Sequence, residues 1–184
     1  MEVICITGTP GTGKTTLAKK LAKKLNFQYF DVNKYISKDK LYESYDKKRK
    51  TKIVDIKKLN KFLIKEIATI KKFNKKYKGI IIDSHLSHYL PKKYADLCIV
   101  TKCGIKELNK RLKNKQFHKS KIQENLQAEI FDICYNEAVR RKHNVIVIDT
   151  SKISKKFSGY SESKILKATK GFNISKILKS IHKK

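Results

Sequence analysis

Near the start of the chain, Gly8-Thr9-Pro10-Gly11-Thr12-Gly13-Lys14-Thr15 matches the phosphate-loop pattern at every position. Each residue type has a physical task. The glycines let the backbone curl until its N–H groups point inward, forming a nest for phosphate oxygens. A helix opening at Lys14 adds the positive end of its dipole. Lys14 brings a point charge to the β- and γ-phosphates, the Thr15 hydroxyl can ligate magnesium, and Thr16 can touch the α-phosphate. With Gly11 and Gly13, these are the candidate residues for binding ATP. A glycine-rich turn ahead of an ordinary helix is the plainer alternative, but the motif lies at the strand-to-helix junction that phosphate binding requires.

A second constellation is Gly79-Ile80-Ile81-Ile82-Asp83-Ser84-His85. A carboxylate at the tip of an apolar strand beside the phosphate loop can hold magnesium, directly or through water; a turn cap is the alternative. His85 could orient an attacking water or a substrate hydroxyl, although on spacing alone His85 and His88 read more readily as surface histidines. Lys14, Asp83 and His85 are thus the candidate catalytic residues, and Thr15 and Asp83 the candidate metal ligands. Phosphoryl transfer also needs cations around the migrating group and exclusion of water. Arg111 to Lys119 supplies cations between two helices, either as a mobile cover or as a solvated basic loop.

The elements that must carry these residues follow from periodicity. Glu2 to Thr7, Phe27 to Asp31, Gly79 to Asp83, Asp96 to Thr101 and Asn144 to Asp149 read as short apolar strands. Helical spacing runs through Thr15 to Leu25, Asp55 to Phe73 and Ile105 to Leu112, then through one long helix from Ile122 to about Lys142. Asn33 to Lys52 is irregular and polar, Lys113 to Lys121 is basic and polar, Ser154 to Gly171 has no legible pattern, and Ile174 to Ile181 forms a last helix. Strands buried on both faces and alternating with helices predict an α/β domain with a parallel sheet.

The chain has 184 residues, 40% of them hydrophobic, enough for one domain with a core of its own. Its longest apolar runs, Gly79 to Ile82 and Val145 to Ile148, fall far below the ~20 residues of a membrane span. With a strand beginning at Val3, a cytoplasmic protein is expected. The four cysteines, Cys5, Cys98, Cys103 and Cys134, lack metal-ligand spacing and read as buried, reduced thiols. Net charge is +29, and only Arg49, Arg111, Arg140 and Arg141 of the 45 basic residues are arginines. Such a charge suggests a polyanionic partner such as RNA. Lysine scattered over the whole chain also fits a composition bias.

Taken in order, GTPGTGKTT, LYESYD (Leu41 to Asp46) with Asp55, GIIIDSH with Pro91, LNKRL (Leu108 to Leu112), and ENLQAEIF (Glu124 to Phe131) with Glu137-Ala138 resemble the adenylate kinase isoenzyme 6 family. The resemblance runs from Val3 to about Asp149. It implies a P-loop NTPase of nucleoside-monophosphate-kinase type, with a parallel five-stranded sheet flanked by helices in a single domain over 1–184. Within a core of 1–150, about 31–54 would form the monophosphate arm and about 114–124 the lid, followed by a basic helical extension over 152–184. ATP would bind at Gly11, Gly13, Lys14, Thr15 and Thr16, and Asp83 and His85 would be the functional D-x-H pair. The loop after Asp149 would pass the adenine. Where the family's lid carries an arginine, this chain has Lys115, which keeps the charge but loses the bidentate fork. No arginine occurs in the arm before Arg49.

The expected function is transfer of the ATP γ-phosphate to AMP or a similar monophosphate, with ATPase activity, in small ribosomal subunit maturation. The alternative is an assembly factor that hydrolyses ATP while docked on a small-subunit platform ribosomal protein and rRNA. A small-molecule or polynucleotide kinase on the same scaffold is a third reading.

Overall fold

A computed structural model of the chain describes residues 1–47, 51–74 and 76–151. The expectations for Arg49, for 152–184 and for a helix over Ile174 to Ile181 lie outside these residues.

Five strands form one parallel sheet: β1 (Glu2–Gly8), β2 (Phe27–Asp31), β5 (Gly79–Asp83), β6 (Leu97–Lys102) and β7 (Val145–Asp149), in the order β2-β5-β1-β6-β7. Successive side chains of β1 point to opposite faces, and the core divides accordingly. Ile4 and Ile6 pack with Leu17, Ala18 and Leu21 of α1 (Lys14–Leu25) on one side. Val3 and Cys5 pack on the other side with Leu59, Leu63 and Ile67 of α3 (Ile56–Phe73) and with Ala138 of α6 (Ile133–Arg140). Both faces are covered, which is why the strands read as continuous apolar runs. Leu21 is fully buried, and truncating such a leucine to alanine costs about 2–5 kcal/mol. Asp55 caps α3, its Oδ1 accepting the Lys58 N–H at 3.0 Å.

Two sequence expectations need correction. Asn33 to Lys52 is not wholly irregular: α2 (Asn33–Lys38) is followed by an antiparallel hairpin of β3 (Tyr42–Asp46) and β4 (Thr51–Val54). This hairpin stands apart from the main sheet with its side chains mostly exposed or half-buried, so no apolar alternation marks it. The long helix from Ile122 to Lys142 is two helices, α5 (Lys119–Ile130) and α6. The chain breaks at Asp132, which adopts a left-handed conformation (φ 54°) and pairs with Lys102. Periodicity carries straight through this break because both helices keep apolar residues. In the basic stretch, α4 (Ile105–Asn114) and α5 are joined by Lys115 to His118, and Leu108 and Leu112 of α4 pack against Phe117, Ile122 and Leu126.

The phosphate loop leaves β1 between the ends of β5 and β6. Chains run outward from there in opposite directions along the sheet, which is where open α/β sheets bind ligands.

Candidate active site

The loop from Gly8 to Thr15 is shaped by positions that no larger residue could occupy. Gly8 has φ 135°, and a Cβ there would lie 2.4 Å from the Thr101 carbonyl oxygen. Gly11 has φ 95°, and a Cβ would meet Leu108 and Leu112 at 2.9 Å. Threonines brace the loop from beneath. Thr12 Oγ1 donates to Thr9 O at 2.8 Å and lies 2.6 Å from Thr101 Oγ1, and Thr101 Oγ1 donates to Thr7 O at 3.1 Å. The first turn of α1 has neither a side-chain cap nor an acidic residue, an arrangement that favours an anion at its N–H groups and positive dipole end.

Lys14 Nζ donates to Gly8 O at 2.8 Å and Thr9 O at 2.9 Å. Burial pushes its pKa down to about 8, opposed by the Coulombic pull of Cys134 and Asp83. Asp83 ends β5 and is 1% exposed, and its Oδ2 accepts the Tyr29 hydroxyl at 2.9 Å. Asp31 sits beside it in register on β2. Burial and the bond to Asp83 raise the Tyr29 pKa, while a hydrogen bond with Thr15 acts the other way. Tyr29 therefore touches both oxygen-bearing residues expected at the metal. Thr15 hydroxyl and Asp83 carboxylate are hard oxygen donors, the set magnesium takes alongside water and phosphate, so the residues present fit that ion.

His85 is half-buried. Burial, then the charge of Lys14, push its pKa down to about 4, with smaller contributions from His88 and Lys121. The ring is therefore neutral at pH 7 and stands near the phosphate-loop lysine. His88 corrects a sequence expectation: it is not a surface histidine but 1% exposed, between Thr7 and Glu137.

A cleft of about 480 Å³ opens over the loop, lined by Gly11, Gly13, Lys14, Thr15 and Thr16 on one side and by Arg111, Asn114 and Lys115 on the other. Lys115 thus lines the same cleft as the loop. Arg111 is committed elsewhere: Nε donates to Glu107 at 2.8 Å, and the terminal nitrogens donate to Thr150 Oγ1 at 3.2 Å and Thr150 O at 2.8 Å. Thr150 Oγ1 in turn reaches Thr12 O. Sequence reasoning missed Tyr29, Thr150 and the tie through Arg111, although Arg111 lay within the LNKRL block. Nothing in local spacing marks Tyr29, because its partner is 54 residues away.

Comparison with known proteins agrees with this geometry. The model of an AAA domain family matches residues 4–132. A Methanocaldococcus jannaschii protein named "Putative adenylate kinase" is 38% identical over 80% of this chain and 76% of its own length. The Saccharomyces cerevisiae protein named adenylate kinase isoenzyme 6 homolog FAP7 is 32% identical over 83% of this chain and 74% of its own. The chain belongs to the adenylate kinase isoenzyme 6 family. It is an adenylate kinase-like nucleotide kinase that uses ATP. Among solved structures, a sugar kinase from Janibacter sp. HTCC2649 shares the fold, with a TM-score of 0.55 at 16% identity over 91% of this chain and 92% of that one.

Within this adenylate kinase isoenzyme 6 fold, the motif blocks brace the site. Glu129 Oε1 accepts the Cys103 N–H at 2.8 Å, just ahead of α4. Asn125 donates to Lys121 O at 2.6 Å, and Glu137 holds His88 and Tyr89. Cys5, Cys98 and Cys103 are buried and Cys134 half-buried, all free thiols. Burial pushes Cys5 up to about 12 and Cys134 up to about 11. No helix among the described residues is long and apolar enough to cross a membrane.

Proposed function

We propose that this protein transfers the γ-phosphoryl group of ATP to a phosphate oxygen of AMP or a similar nucleoside monophosphate, forming two nucleoside diphosphates, and that it also hydrolyses ATP. The observation that carries this reading is the phosphate loop at the tip of β1, with Lys14 held beside it and the buried carboxylate of Asp83 at the tip of the neighbouring strand β5. Lys14 and the N-terminus of α1 stabilise charge on the migrating group. Thr15 and Asp83 would hold magnesium, which when bound neutralises phosphate charge. The acceptor oxygen of AMP is already anionic and needs no base. Water does need orienting, and a neutral His85 can accept a hydrogen bond from it. Lys115 serves as the lid cation, a role supported by its place in the lining of the cleft over the loop.

Hydrolysis on a ribosomal partner, in cytoplasmic maturation of the small subunit, is the second reading. A net charge of +29 favours contact with rRNA or with a platform ribosomal protein on it. One assay separates the readings: full-length protein with ATP, magnesium and each monophosphate in turn, following ADP and inorganic phosphate separately. AMP-stimulated ADP formation in excess of phosphate supports the kinase. Phosphate equal to ADP with every monophosphate leaves only the ATPase.

A further inference from the structure

Behind the D-x-H turn lies a buried polar relay that the chemistry above does not use. His88 spans the seam between α6 and β1. Its Nε2 lies 2.7 Å from Glu137 Oε2, and its Nδ1 lies 2.7 Å from Thr7 Oγ1. Thr7 Oγ1 is also 3.1 Å from the carbonyl oxygen of His85. The far oxygen of Glu137 accepts the Tyr89 hydroxyl at 2.9 Å, and the Arg141 guanidinium covers that ring at 4.2 Å.

We propose that Glu137, His88 and Thr7 are positioning residues that fix the main chain at His85, and so set how well the site orients water relative to a phosphate acceptor. This rests on the assignment of His85 to hydrolysis made above.

Proton accounting gives the relay a direction. Burial lowers the His88 pKa, so its neutral form carries one ring proton. A carboxylate can only accept, which puts that proton on Nε2. Nδ1 then accepts the single Thr7 hydroxyl proton across the shorter contact, and the His85 carbonyl oxygen takes the longer arm of the same three-centre bond. The relay thereby fixes the Thr7 hydroxyl in one rotamer against the main chain of the residue proposed to orient water. Two further bonds hold the same turn: Asn60 Nδ2 donates to Tyr89 O at 3.0 Å, and His143 Nε2 donates to His88 O at 2.9 Å. An apolar pair of equal volume would fill this seam with less desolvation; the polar pair supplies directional grip. Water has few contacts of its own in such a site, whereas AMP is also held by its base, ribose and phosphate. A misaimed His85 should therefore harm hydrolysis first.

The test uses the full chain and three variants. Thr7→Val keeps the volume and strand propensity and removes the hydroxyl. Glu137→Ala removes the far anchor, and Glu137→Gln keeps an oxygen that accepts from His88 Nε2. Phosphate release is expected to fall about tenfold in Thr7→Val and Glu137→Ala, the scale on which orienting partners act. ADP formation with AMP should stay within about twofold, the KM for ATP should be unchanged, and Glu137→Gln should restore most hydrolysis. The proposal is overturned if Thr7→Val and Glu137→Ala, shown to be folded by thermal melts, keep the wild-type ratio of phosphate to ADP or lose both activities by one factor. His85→Ala is run alongside. If it shifts the ratio while the relay variants do not, only the relay falls. If it leaves the ratio unchanged, the role of His85 falls and takes the relay with it.

Discussion

Replacing His85 by alanine should split the two reactions of the site. With its pKa near 4, the ring is protonated at pH 7 in only about one molecule in 10³. It can accept a hydrogen bond from water, but it is a weak proton acceptor. Its contribution should lie at the low end of what positioned acid–base groups supply, about 10²-fold, or roughly 2.7 kcal/mol in the barrier to hydrolysis. Transfer to AMP should change by less than about threefold, because the attacking oxygen arrives ionised. The assay follows inorganic phosphate and ADP with ATP and AMP present, in wild type and His85→Ala, with Asp83→Ala as the variant that should disable both. Equal loss of the two activities would refute the reasoning and make His85 an organiser of the whole site.

Lys14→Ala should abolish transfer and hydrolysis together, measured as total ADP formed, because both load charge on the same γ-phosphate; near-normal turnover in a folded variant would displace the site. Lys115→Ala should lower turnover several-fold and Lys115→Arg should raise it, since a guanidinium can grip phosphate through two bonds; unchanged kinetics in both would return Lys115 to the solvated surface. Tyr29→Phe frees Asp83 Oδ2, so the magnesium concentration for half-maximal activity should shift several-fold, while metal-free nucleotide binding, read by calorimetry, stays the same. Stability should fall as pH drops from 6.5 towards 4: the unfolded chain protonates His85 in that window and the folded chain does not. Urea titrations at several pH values should show a shallower loss in His85→Ala.

The sheet and the phosphate loop were legible in the sequence because their signals are local. All five strands of the parallel sheet lie within two residues of their expected bounds, and the apolar runs reflect burial on both faces. Lys14 acts electrostatically with Asp83 and on His85, which lie in a separate sequence block. What local pattern could not carry were features made by distant partners or by one residue's backbone. Asp132 breaks a helical period without interrupting its apolar rhythm, since only its positive φ and its pairing with Lys102 mark the break. The β3–β4 hairpin has too little burial to print an alternation. His88 read as a surface histidine because its partners lie 81 and 49 residues away, on β1 and α6.

The β3–β4 hairpin, part of the segment over about 31–54 that family resemblance assigns to the acceptor, is closed at its base. The N–H of Asp55, where α3 begins, donates to the carbonyl of Leu41 at 3.1 Å, so the hairpin enters and leaves the fold at nearly the same point. Leu41 is buried at that junction while the hairpin beyond it faces outward. A piece of chain whose ends already meet can change length at small entropic cost, because closure entropy grows only logarithmically with loop length. The hairpin is therefore an exchangeable cassette. Sequence drift or deliberate grafting between Leu41 and Asp55 can alter this hairpin while leaving the strands, the phosphate loop and α1 as they are.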